Sequence, residues 1–426
     1  AVLWSPLVRQ QRANESRKRR SWLDGFMAYP QPSGVGEAVW REHIMLLDQI
    51  LYGLWNLGDN LIYAWMPIAR GLRVLVAPHP LLTEFAQGDG IQPPGEVIRR
   101  TRLLDKLLST NDPLDEAQFT AVAEALGVTP RTVELPFSPE HGLGLQLIAA
   151  IVARYGIRLV EDRAVILFDA VGFSLLTPLQ QVVQLNSLSC SVNAAYARLL
   201  DREININFAR TTTGDGFYIW NRMRGLEANI ELYQLMQLIL ADNALARERS
   251  AEPRAVPRLR ACFHVGSHYE FYQSEGLNPT SFSYLVGQVT IELARMIDKA
   301  LPGQILVGKF DTVMRDDVTG EEERIDSLDF VDRARAPLRR LNGLNLAGSE
   351  VEEIACYLTG RRDQRGLWGI SEFTIADKHG LPHRVYNAKI NIHRRNGNPI
   401  YLGLREEDLP PAAHRITADT DFSTLT

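Results

Sequence analysis

The chain has 426 residues, 45% of them hydrophobic and 23% charged, a globular composition with a sizeable core and room for two or three domains. Its formal net charge of −5 argues against a general nucleic-acid binder, which carries a basic footprint. Three widely separated cysteines, Cys190, Cys262 and Cys356, suggest neither a disulfide framework nor close-spaced zinc ligands, so a reducing, cytoplasmic setting is expected.

The basic run Arg9 to Arg20 reads as a solvated terminus. The nearest approach to a membrane span, Leu46 to Ile68, is interrupted by Asp48 and Asp59, so no integral membrane segment is expected. Residues 1–160 are read as a mostly helical region on the spacing of Leu46, Leu47, Ile50, Leu51 and Leu54, with proline clusters between segments. A regulatory sensor, a dimer-forming arm and an attachment to another protein all suit this region. Asp115 to Glu134 has the rhythm of a helix-turn-helix, but its second half offers only Arg131 as a basic reader, so a packing pair is expected.

From 161 to 310 strand and helix signals alternate. In ILFDAVGFS, Val165 to Phe168 read as a strand buried on both faces, and Asp169 follows at once. Thr177-Pro178 then supplies a cap and a proline at the first helical position, opening a helix through Leu200 with an apolar stripe of Val182, Leu185, Leu188, Val192, Ala195 and Leu199. Ile204 to Trp220 reads as two strands joined at Gly214-Asp215-Gly216, and a helix from about Leu226 to Arg247 follows. LRACFHVGSHYEFY gives a strand, VGQVTIELARMIDKAL a helix and GQILVGKF a closing strand. The expected fold is α+β: a ferredoxin-like βαββαβ core, one sheet with helices on one face, followed by a β-rich C-terminal region over 311–426.

In such a sheet the first strand lies beside the following hairpin, which brings together Asp169 and Asp215, 46 positions apart. Two adjacent carboxylates repel unless a divalent cation sits between them, and Mg²⁺ suits one or two protein carboxylates with water and phosphate oxygens completing its shell. The turn Ala170-Val171-Gly172-Phe173-Ser174, between a strand and a helix, offers backbone N–H groups to a phosphate. Taken singly, each aspartate also suits a cap or a turn.

These segments resemble class III nucleotidyl cyclases. ILFDAVGFS is similar to the family's first metal-binding strand, TTTGDGFYIW to its second metal-binding hairpin, LRACFHVGSHYEF to its Arg-x-x-x-His-x-Gly strand, and VGQVTIELARM with PGQILVG to the closing helix and strand. Diguanylate cyclases share the broad fold, but their double-glycine acidic hairpin is absent. The resemblance implies that Asp169 and Asp215 bind two Mg²⁺ or Mn²⁺ ions. It also implies that Arg295 acts as the transition-state arginine supplied by the other subunit of a homodimer, and that a nucleoside triphosphate becomes its 3′,5′-cyclic monophosphate. ATP is the substrate the class favours.

Departures from the pattern bear on the base and on the rate. Where adenylyl cyclases place a base-selecting Lys-Asp pair, this chain has Thr211 and Tyr284, and where an asparagine assists the arginine it has Ile291. Neutral donor-acceptors are compatible with relaxed specificity, with a pyrimidine cyclase of bacterial defence type (UTP or CTP), or with a degenerate cyclase-like module that binds nucleotide and regulates. Near the end, Glu372 to Ile392 reads as a hairpin whose tip, with Lys378, His379 and nearby Arg384, is taken as solvated. His264 and His268, four apart on a strand, do not form the helical metal-ligand pair.

Overall fold

The computed structural model describes residues 26, 29–88, 93–110, 112–252, 254–275, 278–315, 321–361, 369–376, 381–409 and 414–418, with the side chains of 273–284 and 414–418 outside the description. The basic run of the first twenty residues, the hairpin tip with Lys378 and His379, and the side chain of Tyr284 therefore lie outside the described residues. The described residues divide into two compact units, one reaching Val160 and including Tyr269–Val286, the other formed by Glu161–His268 and the residues from Gly287 onward.

The first unit is a three-layer arrangement. Helix α1 (Glu37–Trp55) leads into an antiparallel sheet of β1 (Asn60–Ile68), β2 (Gly71–Pro78) and, after α2 (Leu81–Gln87), α3 (Pro94–Ser109) and α4 (Glu116–Leu126), β3 (Arg131–Glu134). Short α5 (Pro139–Gly142) and α6 (Leu145–Ala153) follow. On one face Trp40, Ile44, Leu47 and Leu51 of α1 and Ile148 and Ile151 of α6 pack on Ile62, Trp65, Leu72 and Val74. On the other, Leu104 and Leu107 of α3 and Phe119 of α4 pack on Leu61, Met66 and Leu75. A register shift between Ile62 and Ala64 resets the alternation so that Ile62 and Trp65 share a face. Helices make up most of the regular structure here, but the sheet had no counterpart in the reading of a mostly helical region: strands buried on both faces lack period-2 alternation, and β1 and β2 read as apolar runs.

The helix-turn-helix reading is also corrected. Helix α4 has a reciprocal capping box between Asp115 and Gln118 and ends at Gly127 in the left-handed region (φ 64°). The expected second helix is instead β3, paired with β2 from Gly71↔Glu134 to Val74↔Arg131. Pro130 and the β-branched pair Thr132-Val133 favour extended backbone there. Asp48, buried in α1, accepts hydrogen bonds from the Tyr155 hydroxyl and from Arg154 Nη1 (3.3 Å), which accounts for a carboxylate inside an apolar helix.

The second unit is built on a large sheet. Its elements are β4 (Ile157–Ala170, joining it at Glu161), α7 (Pro178–Leu200), β5 (Phe208–Thr212), β6 (Gly216–Asn221), α8 (Leu226–Arg249), β7 (Leu259–Glu275, to His268), α9 (Gln288–Lys299) and β9 (Ile305–Gly308). These strands lie in the order β9-β7-β4-β6-β5. β7 and β9 are parallel, while β4 with β6 and β5 with β6 are antiparallel. Between β7 and α9 the chain forms β8 (Asn278–Val286), which pairs back on β7 as a hairpin and had no counterpart in the sequence reading. Beyond β9 the sheet continues through β15 (Pro382–Arg394), β13 (Ser349–Leu358) and β12 (Asn345–Leu346). The two-stranded β10 (Asp311–Arg315) and β11 (Glu322–Asp326), α10 (Ser327–Arg335), β14 (Ile370–Ala376), β16 (Gly397–Leu402) and β17 (His414–Ala418) complete the region.

Alternate residues of the central strands define two faces. Ala164, Ile166 and Phe168 of β4 and Leu259, Ala261 and Phe263 of β7 form one core with Leu188, Val192, Ala195 and Leu199 of α7 and the buried residues of α8. The residues between them, Leu167, Asp169, Arg260, Cys262 and His264, face the other way. Helix α9 covers that second face: the Tyr218 hydroxyl, in register with Leu167, donates to the Thr290 carbonyl (3.3 Å), and a Cβ on Gly266 would lie 3.4 Å from Val289. The expectation of helices on one face alone is therefore corrected. The predicted α7 stripe is corrected at its start, since Val182 is 64% exposed while Leu188 onward is buried.

Candidate active site

Strand β4 is buried over its last nine residues, and it ends by delivering Asp169, 8% exposed, to the α9 face. Burial is the largest influence on this carboxyl and raises its pKa; hydrogen bonding and charge from Arg260 oppose the rise, and the neighbouring Asp215 carboxyl adds to it. The net direction is upward, the charged form being opposed mainly by burial.

The meeting of the two aspartates follows from backbone register. Asp169 pairs with Gly216 across the β4–β6 ladder, and the Ala170 N–H donates to the Asp215 carbonyl (3.0 Å). Gly216 is required because a Cβ there would lie 1.8 Å from the Phe168 carbonyl oxygen. Gly214 turns the chain at φ 101°, and the Thr213 hydroxyl donates to Asp215 Oδ1 (3.1 Å), orienting that side chain.

Arg260 is the cation that meets Asp169. Its Nε lies 2.6 Å from Asp169 Oδ2 while Nη1 donates to the Ala300 carbonyl (3.1 Å). The sequence marked Arg260 as part of a strand motif without giving it a role; strand alternation, which sets Arg260, Cys262 and His264 opposite Ala261 and Phe263, is the signal that could have placed it on one face, but not beside Asp169.

The chemistry of the donor set fits a hard divalent cation, since two carboxylates supply oxygens only and repel each other. Among the described residues no group of three or more His, Cys, Asp or Glu is placed to hold a metal ion.

The other predicted residues are distributed around this pair. In the turn after β4 the Ala170 and Val171 amides donate to the carbonyls of Asp215 and Arg258, and Gly172 (φ 72°), Phe173 and Ser174 open the path to α7. Thr211 is exposed on β5 in register with Tyr218. Arg295 lies on α9 with its Nη1 3.8 Å from Glu292 Oε1, and Ile291 is 50% exposed on the same helix. Arg384 on β15 pairs with Glu372 (3.2 Å), whose other oxygen takes Lys309 Nζ (2.8 Å). Among the described residues no helix is long and apolar enough to cross a membrane.

No family model matches the sequence, and no curated protein matches it. Solved structures similar to it include the guanylyl cyclase Cya2 (13% identity, 55% of this chain and 92% of that chain, TM-score 0.31) and the adenylyl cyclase CyaB from P. aeruginosa (11%, 57% and 99%, TM-score 0.33). The guanylate cyclase domain of RhGC from Catenaria anguillulae, in complex with GTP, is 12% identical over 56% of this chain and 99% of that chain, with a TM-score of 0.32. Likeness at this level carries no argument about the chemistry, which rests on the residues themselves.

Proposed function

We propose that residues 161–310 form a class III-type nucleotidyl cyclase domain with a ferredoxin-like core, converting a nucleoside triphosphate to its 3′,5′-cyclic monophosphate and pyrophosphate. One observation carries the reading: Asp169 and Asp215, remote in sequence, meet at the end of β4 with the Asp169 carboxyl raised in pKa.

Asp169 and Asp215 would hold two Mg²⁺ or Mn²⁺ ions. Such ions supply Lewis-acid polarisation of the α-phosphate and ease deprotonation of the ribose 3′-hydroxyl. Arg260 balances the charge of Asp169 before substrate arrives, and its planar fork suits phosphate oxygens at the same edge. The amides of Gly172, Phe173 and Ser174 serve the phosphate chain, a role in which Ala170 and Val171 contribute by fixing the turn, their own N–H groups being engaged. Thr211, exposed on β5, is offered to the base, while the side chain of Tyr284, the other residue that the sequence proposes for the base, lies outside the description. Arg295 stabilises the transition state from the second subunit of a homodimer, and Leu175 and Leu179, 87% and 74% exposed just past the Asp169 turn, supply apolar surface that supports self-association.

The test is incubation of purified protein with each of the four ribonucleoside triphosphates and Mg²⁺ or Mn²⁺, beside D169N and D215N. Cyclic product is expected from the wild type, with ATP favoured, and a loss of about 10²-fold or more in each variant, comparable to removal of a charge-stabilising group. Product persisting in either variant, or none from the wild type, overturns the reading.

A further inference from the structure

We propose that Glu292 positions Arg295 and is itself held in place by His383, a proposal that rests on the cyclase reading of Arg295. Glu292, 18% exposed at its side chain, divides its carboxylate between two partners: Oε2 lies 2.6 Å from His383 Nδ1, and Oε1 lies 3.8 Å from Arg295 Nη1. His383 is the second residue of β15 and its side chain is 8% exposed, so the anchor belongs to the sheet and not to the helix.

An isolated i,i+3 pair on a helix is weak, because both side chains sample many rotamers and water screens the charges. Here the carboxylate is fastened to a strand by a short contact, which restricts the rotamers it can adopt. At 3.8 Å the contact with Arg295 lies beyond hydrogen-bonding range, so Glu292 acts on the guanidinium and its donors by charge. Those donors suit phosphoryl oxygens. The exposed neighbour Ile291 has no polar atom with which to orient the arginine, and Glu292 does this by charge from the next position.

Glu292→Gln keeps the shape and a hydrogen-bonding group toward His383 while removing the charge that Arg295 senses. With the accepted nucleotide and Mn²⁺, E292Q and H383N are each expected to lower kcat about tenfold with KM changed by less than about twofold, the signature of an interaction made in the transition state. The double variant E292Q/R295A is expected to be no slower than R295A alone, because Glu292 acts only through the arginine. Wild-type kcat in E292Q, or losses that multiply in the double variant, overturns the proposal while leaving the cyclase reading standing. A wild-type protein inactive with every nucleotide overturns both. If E292Q does not fold, H383N and the cycle H383N/R295A decide by the same criteria.

Discussion

His264, buried in β7 between the α9 face and β9, is held neutral by its surroundings. Desolvation pushes its pKa down from 6.5 to about 4, with a hydrogen bond to the Gly308 backbone opposing and the charge of His383 adding to the fall. The unfolded chain takes up this proton near pH 6.5 and the folded chain does not, so its contribution to stability is complete above that value and is lost as pH falls toward 4. The shift corresponds to about 3 kcal/mol. Urea unfolding between pH 7 and 4 should show this loss in the wild type and a flatter profile in H264Q; parallel profiles would assign the acid sensitivity to other groups. Residues of this kind divide the legible from the illegible. Asp169 stood out because a charge directly after Val165 to Phe168 contradicts the burial of its own strand, and Asp215 because Gly-Asp-Gly marks a hairpin. Arg260, Glu292 and His383 did not stand out as partners, since their meaning depends on which strands and helices share a face, and no local pattern encodes that.

At the scale of elements, the approach of the β5–β6 hairpin to β4 is what assembles the carboxylate pair, and two glycines bound the same turn for different reasons. A Cβ at Gly216 would strike the Phe168 carbonyl oxygen at 1.8 Å, whereas at Gly214 it would meet nothing within 4 Å and only the positive φ of 101° resists substitution. Gly214→Ala is therefore expected to cost about 1 kcal/mol through backbone strain. Gly216→Ala is expected to cost about 2–3 kcal/mol through overpacking and to abolish the proposed cyclase activity by driving Asp215 from Asp169. Thermal melts and assays of both variants check this, and an active Gly216→Ala protein would show that the contact is not needed. Elements announced by local chemistry were readable: α7 begins at Pro178 under a Thr177–Gln180 capping box, as the sequence Thr-Pro with a following Gln implies. Elements defined by their neighbours were not. β3 was mistaken for a helix because its only strand signal is four residues long, and β1 and β2 were hidden by sandwiching between helices on both faces.

For the whole molecule, the chain order of strands and helices from β4 to β9 was recoverable apart from β8, because the other segments carry their own periodicity, but the continuation of the sheet through β15, β13 and β12 was not, since it depends on pairing across more than seventy positions. The proposed assembly leads to a sharper test than any single variant. If Asp169 and Asp215 of one subunit work with Arg295 of the other, D169N lacks its ion ligand but retains the arginine, while R295A lacks the arginine but retains both aspartates. Each protein alone should be inactive or nearly so. A mixed dimer has one site with both defects and one site with neither, so mixing equal amounts under exchanging conditions should restore about one quarter of wild-type activity, given random pairing and two equivalent sites per dimer. Restoration that grows with subunit exchange would establish an active site shared across the boundary. No restoration between two folded, exchanging variants would place Arg295 and the aspartates in the same subunit, and the arginine would then have to reach them within one chain.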